Sequence, residues 1–375
     1  MSSVVNTVPS LDIEEVARLI ETVGEHVTFI VLSEPGVGKT SLLTLQAIRN
    51  SDQWRKPGDY FPTDKYQYVY VDGGTLREND LAMYMPDRDN KRVEQYVTNL
   101  INWDDSRPVV LMFDEVLKIP KLLKPLVTRA LLERYIGDRP LPLHSKIFGT
   151  SNNGNEGLND TIEAHVGNRV GIIQMRKANH KRWLLWAAEN GISPMTRAFA
   201  ALYPSMFASY RDGDQSNNPD IYNPRSSNVS FASLRSIAKN DHVVRNWQLL
   251  GDTVARAASC GIIGQSAGEK LAAFMNLQSD AVAPAAILKD PEGVPMPDKP
   301  AALFMSVFNL LDAVETQDDM TATMKFIQRS SSRELQSIFV AMTLQGSGAL
   351  KKLAKNNALV GSFIQQNPEL LHDGE

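Results

Sequence analysis

The chain has 375 residues, 43% of them hydrophobic, with 39 Lys or Arg against 43 Asp or Glu and a formal net charge of −4. That length can bury a sizeable core and suggests roughly two or three domains. The mild acidity gives no global signal for nucleic acid or an anionic membrane, although a local basic patch could hide inside the total. A single cysteine, Cys260, excludes an intramolecular disulfide and points to a reducing, cytoplasmic setting. Residues 1–10 lack a basic and then apolar leader. No apolar run reaches the ~20 residues of a membrane span, and the six scattered histidines have no metal-ligand spacing.

In chain order, Leu11 to Val23 is predicted as an amphipathic helix that Asp12 can cap, with Ile13, Val16, Ala17 and Ile20 on its apolar face. Val27 to Leu32 is a short β-branched run and reads as a buried strand. A turn follows, and then a helix from Lys39 to about Arg49. Residues 51–64 read as a loop and Tyr66 to Val71 as the next strand. Asp80 to Asn90 reads as irregular and Lys91 to Trp103 as helical. Pro108 to Phe113 is a third strand. Val116 to Tyr135 is expected to be helical, with Pro120 and Pro125 tightening or kinking its start. Ser145 to Thr150 and Val170 to Met175 complete five strands. The alternation of strand and helix predicts an α/β fold, a parallel sheet with helices on both faces. Beyond Arg176 the pattern is helical. The polar stretch Pro284 to Pro300 is expected to link two helical pieces.

Ser33-Glu34-Pro35-Gly36-Val37-Gly38-Lys39-Thr40 follows a predicted strand and opens a predicted helix, the context in which a phosphate loop is credible. Glycines let backbone N–H groups approach phosphate oxygens, and the helix N-terminus adds a favourable dipole. Glu34, Pro35, Gly36, Val37, Gly38, Lys39, Thr40 and Ser41 are the candidate nucleotide-binding residues. Lys39 would meet the β- and γ-phosphates. The Thr40 hydroxyl is a natural Mg²⁺ ligand. Ser33 stands where the usual pattern has its first glycine.

A buried strand that ends in two acids needs a reason, because unpaired buried charge is costly. Asp114 can hold Mg²⁺ or its waters, and Glu115 can orient and deprotonate an attacking water. The strand ending Gly149-Thr150-Ser151-Asn152-Asn153 offers an amide beside Glu115 to hold that water or sense the γ-phosphate. Asn152 is the choice, with Asn153 the neighbour it could be confused with; turn-forming asparagines are the plainer alternative.

These features together resemble the AAA+ ATPases and, within them, the MoxR-like branch, including bacterial and phage-type relatives. The residues that carry the resemblance are Asp114-Glu115, the stretch Leu131 to Asp138, Gly149 to Asn152 and Asn168-Arg169-Val170. It is strongest over 24–176. The resemblance implies a ring, usually a hexamer, with ATP and Mg²⁺ at subunit interfaces and Arg169 as an arginine finger reaching the neighbour's γ-phosphate. It implies a second sensor arginine at the start of a lid helix. Arg235 is preferred over Arg225, although Leu234 replaces the usual proline.

The domains expected are an AAA+ core at 1–176, an α-helical lid at 177–283 and a helical C-terminal extension at 284–375. Met83, Tyr84 and Met85 either grip a client from an insertion facing the ring pore or pack in a core. Trp183 and Trp186 read as core residues before base-stacking ones. The function expected is Mg²⁺-dependent ATP hydrolysis driving a chaperone or remodelling motor on a protein client, with a von Willebrand factor A domain protein as a partner by family analogy. A nucleic-acid motor or loader and a nucleotide-gated assembly scaffold are the alternatives; no basic-aromatic stretch supports the first, and Glu115 and Arg169 argue against the second.

Overall fold

Strands that are apolar at every position need cover on both faces. A computed structural model of the protein describes residues 10–50, 65–152, 168–213, 215, 217–224 and 228–371. The chain divides into two compact units, residues 1–177 and 178–375. The first unit runs β1 (Ser10–Leu11), α1 (Ile13–Val23), β2 (Phe29–Ser33), α2 (Ser41–Asn50), β3 (Gln67–Asp72), β4 (Ala82–Asp87), β5 (Arg92–Val97), β6 (Val109–Asp114), α3 (Lys124–Glu133), β7 (Tyr135–Ile136), β8 (Arg139–Pro140), β9 (Lys146–Asn152) and β10 (Gly171–Met175). Six strands form one sheet in the order β1-β10-β2-β9-β6-β3, every neighbour parallel.

Successive side chains on a strand point to opposite faces, and the core divides accordingly. Ile30, Leu32, Leu111 and Phe113 pack with Val127, Ala130 and Leu131 of α3. Val31, Val110 and Met112 pack on the other face with Val16, Ala17 and Ile20 of α1 and Leu42 of α2. A one-residue slip in any of these strands would exchange the two sets. Asp12 caps α1, and the Asp12 and Glu15 side chains bond each other's backbone N–H. Arg49 on α2 is paired with Glu14 at 2.9 Å and Glu21 at 2.8 Å on α1. The boundaries expected for these strands and helices shift by at most two residues. The loop expected at 51–64 lies outside the described residues.

Two expectations are corrected. Residues 80–103 are not an irregular segment followed by a helix: β4 and β5 form an antiparallel hairpin with Met83 opposite Tyr96 and Tyr84 opposite Gln95. The turn is built by Asp87, whose side chain accepts from the Asp89 and Asn90 N–H groups, and Lys91 takes a left-handed conformation with φ of 52°. Local turn chemistry and the β preference of Val93, Tyr96 and Val97 outweigh helical spacing. Residues 116–135 are not one helix. Val116–Lys118 is a single 3₁₀ turn, and α3 begins only at Lys124, with Pro125 in its first turn where no N–H is needed. Pro120 falls in the break rather than inside a kinked helix.

The second unit is helical, and one core joins residues from Trp183 and Phe199 to Phe308, Phe339 and Phe363. The stretch from Pro284 is not only a link, because Pro284–Lys289 is a helix that seats Ile287 fully in this core. The helical run from Leu234 to Ile263 is interrupted at Asn246 and Gly251. Trp183 is buried, whereas Trp186 is exposed. No single described helix is long and apolar enough to cross a membrane; one bent pair, Gln265–Met275 with Gln278–Lys289, has the length and composition.

Candidate functional site

The strand β2 delivers the chain to the predicted phosphate loop at Ser33, whose fully buried hydroxyl donates to the Glu34 carbonyl at 3.0 Å. A small side chain is thereby accommodated where a glycine was expected. The backbone then turns through Gly36 at φ 76° and Gly38 at φ 101°, conformations that would strain any residue with a Cβ. Buried Val37 anchors the loop in the core under α1 and α2. The Ser41 N–H bonds the Gly38 carbonyl at 2.9 Å and the Leu42 N–H bonds the Lys39 carbonyl at 3.0 Å, which starts α2. The loop from Glu34 to Thr40 thus ends on a helix N-terminus, a ready site for phosphate. Lys39 is buried, and its Nζ donates to Asn152 Oδ1 at 2.6 Å and to the Glu34 carbonyl at 3.4 Å.

Parallel pairing brings the carboxylates alongside. β6 lies between β3 and β9, and β9 lies between β6 and β2. Asp114 ends β6, buried, with both oxygens engaged. Its Oδ1 accepts from the Thr150 hydroxyl and from the Glu115 N–H at 3.0 Å. Its Oδ2 accepts from the Thr40 hydroxyl at 3.2 Å and from the Tyr70 hydroxyl at 3.1 Å. The end of β3 is pressed onto the same point. The Gly73 N–H donates to the Asp114 carbonyl at 2.8 Å, and a Cβ on Gly73 would lie 2.7 Å from Ile119 Cγ1 and 2.8 Å from that carbonyl oxygen.

Glu115 leaves the strand in the left-handed region, φ 52° and ψ 42°. Such a conformation costs about 1–3 kcal/mol in a residue with a side chain and is characteristic of functional positions. Its Oε1 accepts from Asn152 Nδ2. Its Oε2 is buried and has no hydrogen-bond donor; Lys118 Nζ stands 3.4 Å away as an ion pair without hydrogen-bond geometry. Leaving a buried acceptor unmet costs about 1–3 kcal/mol, so this oxygen is held open at the expense of stability.

The residues fit a nucleotide with a divalent cation. The glycines open a backbone cradle, a buried ammonium lies at its base, and a hydroxyl and a carboxylate stand side by side. Mg²⁺ takes oxygen ligands, with one or two from carboxylates and others from phosphate and water. Among the described residues, no group of three or more His, Cys, Asp or Glu could hold a metal ion.

Lys39, Thr40, Asp114, Glu115 and Asn152 come together as a single cluster. Asn153 and Arg225 lie outside the described residues. Arg169 is exposed, just before β10, and has no hydrogen bond or ion pair with any described residue. Arg235 belongs to the second unit, exposed in the first turn of the helix Leu234–Arg245, which Ser233 caps. Two contributors had no sequence signal of their own. Tyr70 and Thr150 reach Asp114 only because β3 and β9 flank β6 in this register.

No family model matches the sequence, and neither does any curated protein. Solved structures are similar at low identity. RuvB of Thermotoga maritima, described as a Holliday junction branch migration motor, is 15% identical over 77% of this chain and 78% of that one, with a TM-score of 0.37. NtrX of Brucella abortus in complex with ADP is 12% identical over 95% of this chain and 68% of that one, also at 0.37. Likenesses of that size carry no argument. The protein's own geometry is that of an α/β fold: a six-stranded parallel sheet, a glycine-rich loop between the central strand β2 and α2, and a helical second unit.

Proposed function

We propose that this protein binds ATP with Mg²⁺ and hydrolyses it as a ring-forming AAA+ ATPase of the MoxR-like branch, remodelling a protein client. The observation that carries the reading is the Asn152 amide, which joins the phosphate-loop lysine to Glu115. One side chain thus reports to both the phosphate-binding cation and the base. Bound Mg·ATP supplies the γ-phosphoryl group and the cation that offsets its charge. Glu34 to Ser41 hold the phosphates, with the Lys39 ammonium the principal charge. Thr40 and Asp114 hold the metal. Glu115 accepts the proton of the attacking water, and its open Oε2 is the acceptor available for this. Asn152 orients Glu115 and senses the γ-phosphate.

Arg169 acts as the finger supplied to the neighbouring subunit. Its exposure and its lack of a partner among the described residues support that role. Arg235 is the second sensor. Residues 177–283 act as the lid. Because Phe199 and Phe308 share one core, the extension at 284–375 moves with it. Met83, Tyr84 and Met85 are exposed on the β4–β5 hairpin, with Val93 and Tyr96 across from them. An adaptable apolar tip of this kind suits a protein client. A von Willebrand factor A domain partner rests on the family resemblance alone.

The test is ATPase activity across protein concentration, with mass measured with and without ATP, for the wild type, Glu115→Gln and Arg169→Ala. Activity per subunit that rises with concentration, an ATP-dependent hexamer-sized species and loss of turnover in both variants are expected. Turnover that ignores both concentration and Arg169 would remove the ring.

A further inference from the structure

The edge strand brings a group to the metal carboxylate that the catalytic roles above do not use. Tyr70 lies on β3, on the same face as Asp72, one strand from Asp114. Its ring is 43% exposed, yet its hydroxyl reaches Asp114 Oδ2 at 3.1 Å. A carboxylate oxygen has two lone pairs. On Oδ2 one faces the Thr40 hydroxyl at 3.2 Å and the other faces Tyr70. On Oδ1, the Thr150 hydroxyl and the Glu115 N–H fill the corresponding places. Only the Thr40 contact joins two groups that would both be metal ligands. A cation that arrives there displaces that one hydrogen bond and leaves three donors in place.

We infer that Tyr70 is a positioning residue for the divalent cation: its phenol fixes the Asp114 carboxylate so that a single lone pair faces Thr40. The inference rests on the nucleotide site proposed above. Donors that orient a ligating carboxylate typically change metal affinity by roughly 10- to 100-fold when removed. Thr150 and the Glu115 N–H still hold the far oxygen, so the lower end of that range is expected for Tyr70. The role concerns the cation alone, so binding of nucleotide without metal should be indifferent to the phenol.

The experiment is equilibrium binding of a fluorescent ATP analogue to the full chain, wild type and Tyr70→Phe, first in EDTA and then across a Mg²⁺ titration. Tyr68→Phe, on the same face of the same strand but nearer its start, is the control. Melting temperature without ligand is recorded for all three. For Tyr70→Phe the expected result is affinity in EDTA within twofold of wild type, a Mg²⁺ midpoint raised about tenfold and an unchanged melting temperature. Tyr68→Phe leaves the midpoint where it was. An unchanged midpoint in Tyr70→Phe, with a wild type that responds to Mg²⁺, overturns the role of Tyr70 and leaves the nucleotide site standing. A wild type whose affinity ignores Mg²⁺ overturns both. A loss of affinity already present in EDTA overturns the metal-specific role and assigns the phenol to the shape of the site.

Discussion

Two carboxylates, Glu115 in the first unit and Asp241 in the second, are treated in opposite ways. Glu115 keeps a buried oxygen without a hydrogen-bond donor. Asp241 is saturated. Its side chain accepts from the Ser193 N–H at 3.1 Å, the Ser193 hydroxyl, the Thr196 hydroxyl at 2.7 Å and Arg245 Nε at 2.6 Å. Burial alone would raise the pKa of Asp241, and these donors outweigh it and hold the carboxyl below the usual range. The buried Arg197 guanidinium is likewise closed off, by Asp312 and the Ile192 carbonyl. Charge that is satisfied within the chain holds helices together. Charge left with open valence costs stability and is kept for something that binds.

Substitutions can break that contrast if it is false. The largest effect is expected for Glu115→Gln, which removes the proposed base and should lower phosphate release at least a hundredfold. Its melting temperature should not fall, because the amide relieves two carboxylates held side by side. A variant that unfolded instead would make Glu115 structural. Next is Asp312→Ala, which strands the Arg197 guanidinium, only 4% exposed. Removing one partner of such a pair costs about 3 kcal/mol, or roughly 5–10 °C in the unfolding of a unit this size. Nucleotide affinity, measured alongside, should not change.

Smaller again is Thr196→Val, which removes one hydroxyl from Asp241. About 1–2 kcal/mol is expected, read from the denaturant midpoint, with turnover intact. The mildest test uses pH. Burial, aided by the Lys181 charge, lowers the His180 pKa to about 4. The unfolded chain binds that proton near the ordinary imidazole value of 6.5. Stability from this group is therefore full above about pH 6.5 and declines as pH falls towards 4. His180→Phe keeps an aromatic ring beside Phe207, 6.4 Å away in the native protein. It should lower the melting temperature less than wild type between pH 7 and 4.5. Equal slopes would remove His180 as a source of acid sensitivity.

The same contrast explains what could be read in advance. Phe29 to Leu32 and Val109 to Phe113 announce themselves because central parallel strands are apolar throughout. The loop from Ser33 to Thr40 and the Asp114–Glu115 pair are contiguous, so sequence order contains their chemistry. Tyr70 and Thr150 are distant along the chain and join Asp114 only through register. The hairpin was misread for a specific reason: Val93, Tyr96, Val97, Leu100 and Ile101 have helical spacing, and the turn at Asp87 overrides it. In the second unit, the pair Arg197 with Asp312 spans more than a hundred residues and leaves no local trace.

Gly73 touches no candidate ligand residue through a side chain, since it has none. Yet any side chain there would strike Ile119 and the Asp114 carbonyl. In a library of single substitutions scored for growth or turnover, position 73 should therefore be as intolerant as Glu115 while Gly74, one residue on, is permissive. A map of tolerance would place Gly73 among the proposed catalytic residues. It belongs there only as the point at which the edge strand is bolted to the carboxylate strand.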